Sequence, residues 1–119
     1  MSLSGTLTSG STFVIANNVT DVPGADLYDA TFCNWNGDDA VGLAKLVGAS
    51  FYLIDVVGTD GADPGAGWAV AGVSNATSDQ TLIRKTSIDR PNANWSASAG
   101  ISISNSEWLV RPYQLGSVG

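Results

Sequence analysis

The chain contains no histidine and a single cysteine, Cys33. Without histidine, the Ser-His-Asp and Cys-His nucleophile systems are closed to it, and so are zinc sites built from imidazole and thiolate. One cysteine cannot form an internal disulfide, so the fold must stand on packing. Cys33 lies between Phe32 and Asn34, with no neighbouring cation to stabilise a thiolate, and reads as a structural thiol. Basic residues are scarce as well: five Lys and Arg against eleven Asp and Glu leave a formal net charge of −6. A field of that sign repels phosphate backbones and anionic membrane surfaces, which argues against nucleic acid and membrane as partners. No apolar run approaches the ~20 residues of a membrane-spanning helix, and no basic-then-apolar leader opens the sequence.

What is present is a chain of 119 residues, 44% apolar, with its apolar residues in short bursts. That length fits one domain with a core, and Gly, Ser, Thr, Asn and Asp punctuate it at short intervals. Short β-branched and aromatic runs between turn signals predict an all-β sandwich or barrel. The expected strands are TFVIA (residues 12–16), DAVGLAKL (39–46), SFYLIDVVG (50–58), QTLIRKT (80–86) and EWLVRPY (107–113). A Val-Pro-Gly-Ala turn precedes Leu27, and Val47-Gly48-Ala49 is the expected hairpin link. SFYLIDVVG is apolar on both faces, as a covered central strand would be. Arg84 and Lys85 should point to opposite faces, and Pro112 should end the last strand's pairing. Residues 87–106 read mostly as loop, with Trp95 the only large anchor.

Asp38 and Asp39 follow the turn pair Asn36-Gly37. Side chains alternate along a strand, so neighbouring carboxylates there diverge, and one is expected to accept hydrogen bonds from turn amides. The glycine-rich loop TDGADPGAG carries Asp60 and Asp63. Calcium takes 6 to 8 oxygens, so Asp38, Asp60 and Asp63 are its candidate ligands if folding gathers them, against a solvated acidic loop. Of the four tryptophans, Trp35 and Trp68 border loops and are the candidates for a carbohydrate-stacking surface, whereas Trp108 should be core. Asn18, Asn75 and Asn94 begin N-x-S/T triplets, which a Ser/Thr/Asn-rich chain yields by chance. Glu107 is the only glutamate, and nothing in the sequence supplies the partner that glycosidase chemistry needs. No catalytic and no cofactor-binding residue is expected.

The blocks GTLTSGSTFVIAN, WNGDDAVGLAK, LIDVVG, GWAVAGVSNATSDQTLIRK and NSEWLV, closing near LGSVG, follow one another in an order that resembles the lamin-tail domain family. The likeness runs from about Gly5 to Gly116 and is nearest to the bacterial members attached to secreted nucleases and phosphatases. It implies an immunoglobulin-like β-sandwich, 1–119 as one domain, acting as a non-catalytic accessory or interaction module of an extracellular or surface protein. It implies no catalytic residues. Family members carry further strands ahead of the part that matches SGTLTSGSTFVIAN, so the resemblance implies an N-terminally shortened version, either a truncated reading of a longer protein or a shortened variant. A sandwich without its first strands exposes an edge, which leads to the expectation of a homodimer or strand-exchanged oligomer. The alternative is a calcium- or carbohydrate-binding module.

Overall fold

The computed structural model describes residues 1–113; the LGSVG block of the resemblance lies outside the described residues. Among the described residues strands dominate, with one short helix, as an all-β chain requires. The described residues form two compact units, Met1–Trp35 and Asn36–Tyr113.

In the first unit the strand expected over residues 12–16 contracts to β1, Ile15–Ala16, which pairs in parallel with β2, Leu27–Tyr28. Side chains take over the pairing on either side. Asp26 accepts from the Val14 amide through Oδ2 at 2.8 Å, and its own amide donates to the Val14 carbonyl. The turn at Val22 to Ala25 closes on one phenol: Tyr28 Oη accepts from the Gly24 and Ala25 amides and donates to the Val22 carbonyl. Buried Ala16 marks the packed side of this unit.

In the second unit β3 (Val41–Val47) and β4 (Ser50–Val57) form an antiparallel hairpin. Val47 pairs with Ser50 across a two-residue loop in which Gly48 takes φ 63°, the positive value that mirror-image hairpin turns require. The ladder slips by one residue between Leu43 and Ala44, leaving Ile54 as the extra residue of a β-bulge. A second antiparallel pair joins β5 (Gln80–Arg84) to β6 (Trp108–Pro112), and Pro112 sits at its last register position. Residues 87–106 are not all loop: Trp95–Ala99 is a short helix, α1. Asn94 caps it by accepting from the Ala97 amide, and Gly100, at φ 62°, ends it.

The core of this unit is Val70, Ala76, Trp95 and Ala99, with Val56, Val57, Trp68, Leu82, Trp108 and Val110 packed against it. Gly58 is what lets the chain leave β4 close under Trp68. It has φ 84°, and a Cβ there would fall 2.7 Å from the indole nitrogen. The expectation that residues 50–58 form a covered central strand is corrected. β4 belongs to a two-stranded hairpin; its first half is exposed and only its second half approaches the core. A continuous apolar run reports what a strand could bury, and cover comes from elements distant in sequence.

Candidate functional site

The second unit brings Asp55 and Glu107 together around Arg84. Alternation along β5 points this side chain at β4, where its guanidinium clasps Asp55 with two bonds, Nη1 to Oδ2 and Nη2 to Oδ1, both 2.9 Å. Glu107 Oε2 lies 3.9 Å from Nη2, and the guanidinium carbon stands 4.2 Å from the centroid of the Trp108 ring. Such a stack adds a cation–π attraction to the ion pair. The remaining acceptors are filled from the loop and helix. Asn92 Nδ2 donates to Glu107 Oε1 at 2.7 Å, and Ser98 Oγ donates to Oε2 at 3.0 Å. Trp108 Nε1 donates to Ser98 Oγ at 2.8 Å. Lys85 turns the other way, as alternation predicts, and caps the carbonyls of Ile103 and Ser106.

Chemically this is a clamp. It ties β4, β5, β6, α1 and the residue-92 loop through hydrogen-bonded side chains, with Arg84 Nε buried and left without a partner among the described residues. Glu107, which lacks a partner in the sequence, gains three in space. The sequence signal for them was slight: Arg84 and Glu107 each occur next to an apolar strand residue, and nothing local links them across 23 positions.

The residues singled out in the sequence are dispersed. Asp39 Oδ2 accepts from the Asn36 amide at 3.1 Å, the turn role expected of one of the pair, while Asp38 is half-buried beside it. β3 begins only at Val41. Asp63 accepts from the Gly65 amide at 2.8 Å, holding its own loop, and Asp60 is exposed. Among the described residues no group of three or more His, Cys, Asp or Glu stands close enough to hold a metal ion, so Asp38, Asp60 and Asp63 do not converge. Trp68 is packed, donating its indole N–H to the Asp39 carbonyl at 3.2 Å and meeting Trp95 edge-on. Trp35, by contrast, is 47% exposed and edge-on to Phe32, with ring centroids 5.3 Å apart. Cys33 is half-buried; burial first, and the Asp29 charge second, push its thiol above the ordinary value.

The remaining surface of note is the hairpin. Directly opposed residues share a face, so Gly42, Ala44 and Leu46 of β3 line up with Val56, Leu53 and Phe51 of β4. That face carries no polar side chain. The opposite face holds Lys45, Ser50, Tyr52 and Asp55 among its apolar residues. At its base the apolar face opens on a cleft of about 670 Å³, walled by Leu53 and Val56 on one side and Asn94, Trp95 and Ser96 on the other.

No protein-family model, no curated protein and no solved structure matches the chain. No helix among the described residues is long and apolar enough to cross a membrane.

Proposed function

We propose that the chain is a non-catalytic accessory module of the lamin-tail type, an immunoglobulin-like β-sandwich that mediates interaction within an extracellular or surface bacterial protein. The observation that carries this reading is the contrast between its ionisable and its exposed groups. The partly buried carboxylates Asp55 and Glu107 are engaged by Arg84, Asn92 and Ser98, which leaves them without a free proton-transfer geometry. Meanwhile the large side chains at the hairpin tip face solvent, as binding surfaces do. The sequence order that resembles the lamin-tail family supports the fold assignment, and the strand-dominated architecture is compatible with it.

A turnover assay on the purified chain tests the reading. Nucleic acid, phosphate monoester and glycoside substrates should all remain intact at high enzyme loading. Hydrolysis that co-purifies with the chain and disappears in Glu107→Gln would refute it.

A second reading is favoured by one feature, the half-exposed Trp35 beside Phe32. Such a ring pair supports a carbohydrate-stacking surface of the first unit. Titration with soluble glycans should then quench tryptophan fluorescence, and Trp35→Ala should abolish the response. Trp68 has no part in that reading, because its indole is held inside the second unit.

A further inference from the structure

Of the eight asparagines, Asn36 alone is followed by glycine. That pair carries chemistry as well as turn geometry. A backbone amide nitrogen can close a five-membered ring on the side-chain carbonyl carbon of the asparagine before it. A side chain on the attacking residue obstructs the approach; glycine leaves it open and lets the backbone turn to it.

The structure lifts the usual restraints at this pair. Asn36 is exposed, and its carboxamide has no hydrogen-bond partner among the described residues. By contrast, Asn17, Asn18, Asn92, Asn94 and Asn105 are each held by side-chain bonds. Asn34 and Asn75 have no such bonds among the described residues, but Trp35 and Ala76 follow them. The Gly37 amide, the group that must attack, likewise donates to no acceptor among the described residues, and Gly37 sits at φ 114° in irregular backbone.

We propose that Asn36 is a self-modifying site, where the exposed carboxamide becomes a carboxylate and part of the product carries a rerouted main chain. The Gly37 nitrogen attacks Asn36 Cγ. The N–Cγ bond forms as the Cγ–Nδ2 bond breaks, and Nδ2 leaves as ammonia with the proton of the Gly37 amide. Water then opens the cyclic imide. Cleavage of the N–Cγ bond gives aspartate; cleavage of the bond to the main-chain carbonyl gives isoaspartate. Nothing but water is consumed.

The two products act differently on the second unit. Thr77 Oγ1 donates to the Gly37 carbonyl at 2.6 Å and accepts from the Trp68 amide at 2.7 Å, so Gly37 is strapped to the segment that carries the packed indole. A Cβ on Gly37 would fall 2.8 Å from Ser78 Cα, so there is little room beside it. Aspartate leaves this path unchanged and adds one negative charge beside Asp38 and Asp39. Isoaspartate lengthens the main chain by one methylene ahead of Gly37, which must then leave Thr77 and Ser78. The aspartate form keeps the strap and the isoaspartate form loses it.

Ageing of the purified full chain tests both statements, followed by anion exchange, intact mass and peptide mapping. Asp38 and Asp39 oppose deprotonation of the neighbouring amide, so mildly alkaline buffer is used. A synthetic peptide of residues 32–45 in the same buffer sets the clock. The expected result is a more acidic species whose map places aspartate and isoaspartate at position 36. Asn36→Gln, which would have to close a six-membered ring, should slow its appearance at least about tenfold, the effect of ~1.4 kcal/mol of barrier. The same ring chemistry at Asp60-Gly61 releases no ammonia and adds no charge, so it is not mistaken for this change. A wild type that keeps the amide at Asn36 while the peptide converts completely overturns the proposal. So does an Asn36→Gln variant that acidifies at the wild-type rate. In urea, the isoaspartate-containing pool should unfold earlier than freshly purified Asn36→Asp, which has the same charge; coincident curves overturn the loss of the strap.

Discussion

Arg84 is the residue on which the second unit's polar interior depends. Its side chain is about one-fifth exposed, as is that of Glu107, and Asp55 is little more so. Removing the cation would strand two carboxylates, a change that costs more than the ion pair itself contributes. Arg84→Met should therefore destabilise the fold by about 2 kcal/mol, discounted from a fully buried pair because water still reaches these groups. Urea denaturation at pH 7 measures it, and Arg84→Lys should recover only part of the loss, because an ammonium cannot make the two-pronged clasp. Cys33 gives a second test at this scale. A thiol whose folded value is raised stabilises the fold at pH below the ordinary value, and that contribution is lost as the pH climbs through it. Alkylation by iodoacetamide should accordingly be slow at pH 7.5, with a midpoint above the ~8.5 of a free cysteine. Reaction as fast as that of a free thiol at neutral pH would contradict the burial of this group.

At the scale of elements, short pieces are held by caps and turns more than by length. Helix α1 has only five residues, too few to persist by intrinsic propensity, and it is fixed by Trp95 and Ala99 in the core and by the Asn94 cap. Asn94→Ala should cost about 1 kcal/mol. Residues 87–106 are mostly loop, as expected, and the helix inside them went unread because five residues show no periodicity; Asn94 is its start signal and Gly100 its stop. Gly58 imposes a stiffer limit. Gly58→Ala must adopt a positive φ and push on the Trp68 ring, so a loss of at least about 2 kcal/mol in thermal or urea unfolding is expected. The Val47-Gly48-Ala49 turn was legible because a glycine between two apolar alternating runs has few other uses. The exposure of β4 was not, since its composition is that of a covered strand.

For the whole molecule, the sparse cations set behaviour in solution. With a sequence pI near 4.1, the chain should be least soluble close to pH 4, where the self-repulsion of −6 vanishes and the apolar hairpin face is free to associate. Turbidity across pH 3 to 7 would locate that minimum, and Phe51→Glu should reduce its depth.

The sequence by itself determined the strand-dominated class, the hairpin link at Gly48, a turn role for one of Asp38 and Asp39, and the opposed directions of Arg84 and Lys85. Each of these follows from local rules: alternation in a strand, positive φ at a glycine, and a short carboxylate reaching a neighbouring amide. Only the tertiary structure decided that Asp55, Arg84 and Glu107 meet, that Trp68 is packed while Trp35 is exposed, and that one face of the hairpin is bare. Those outcomes depend on which distant segments come together, and no pattern within a single strand encodes its neighbour.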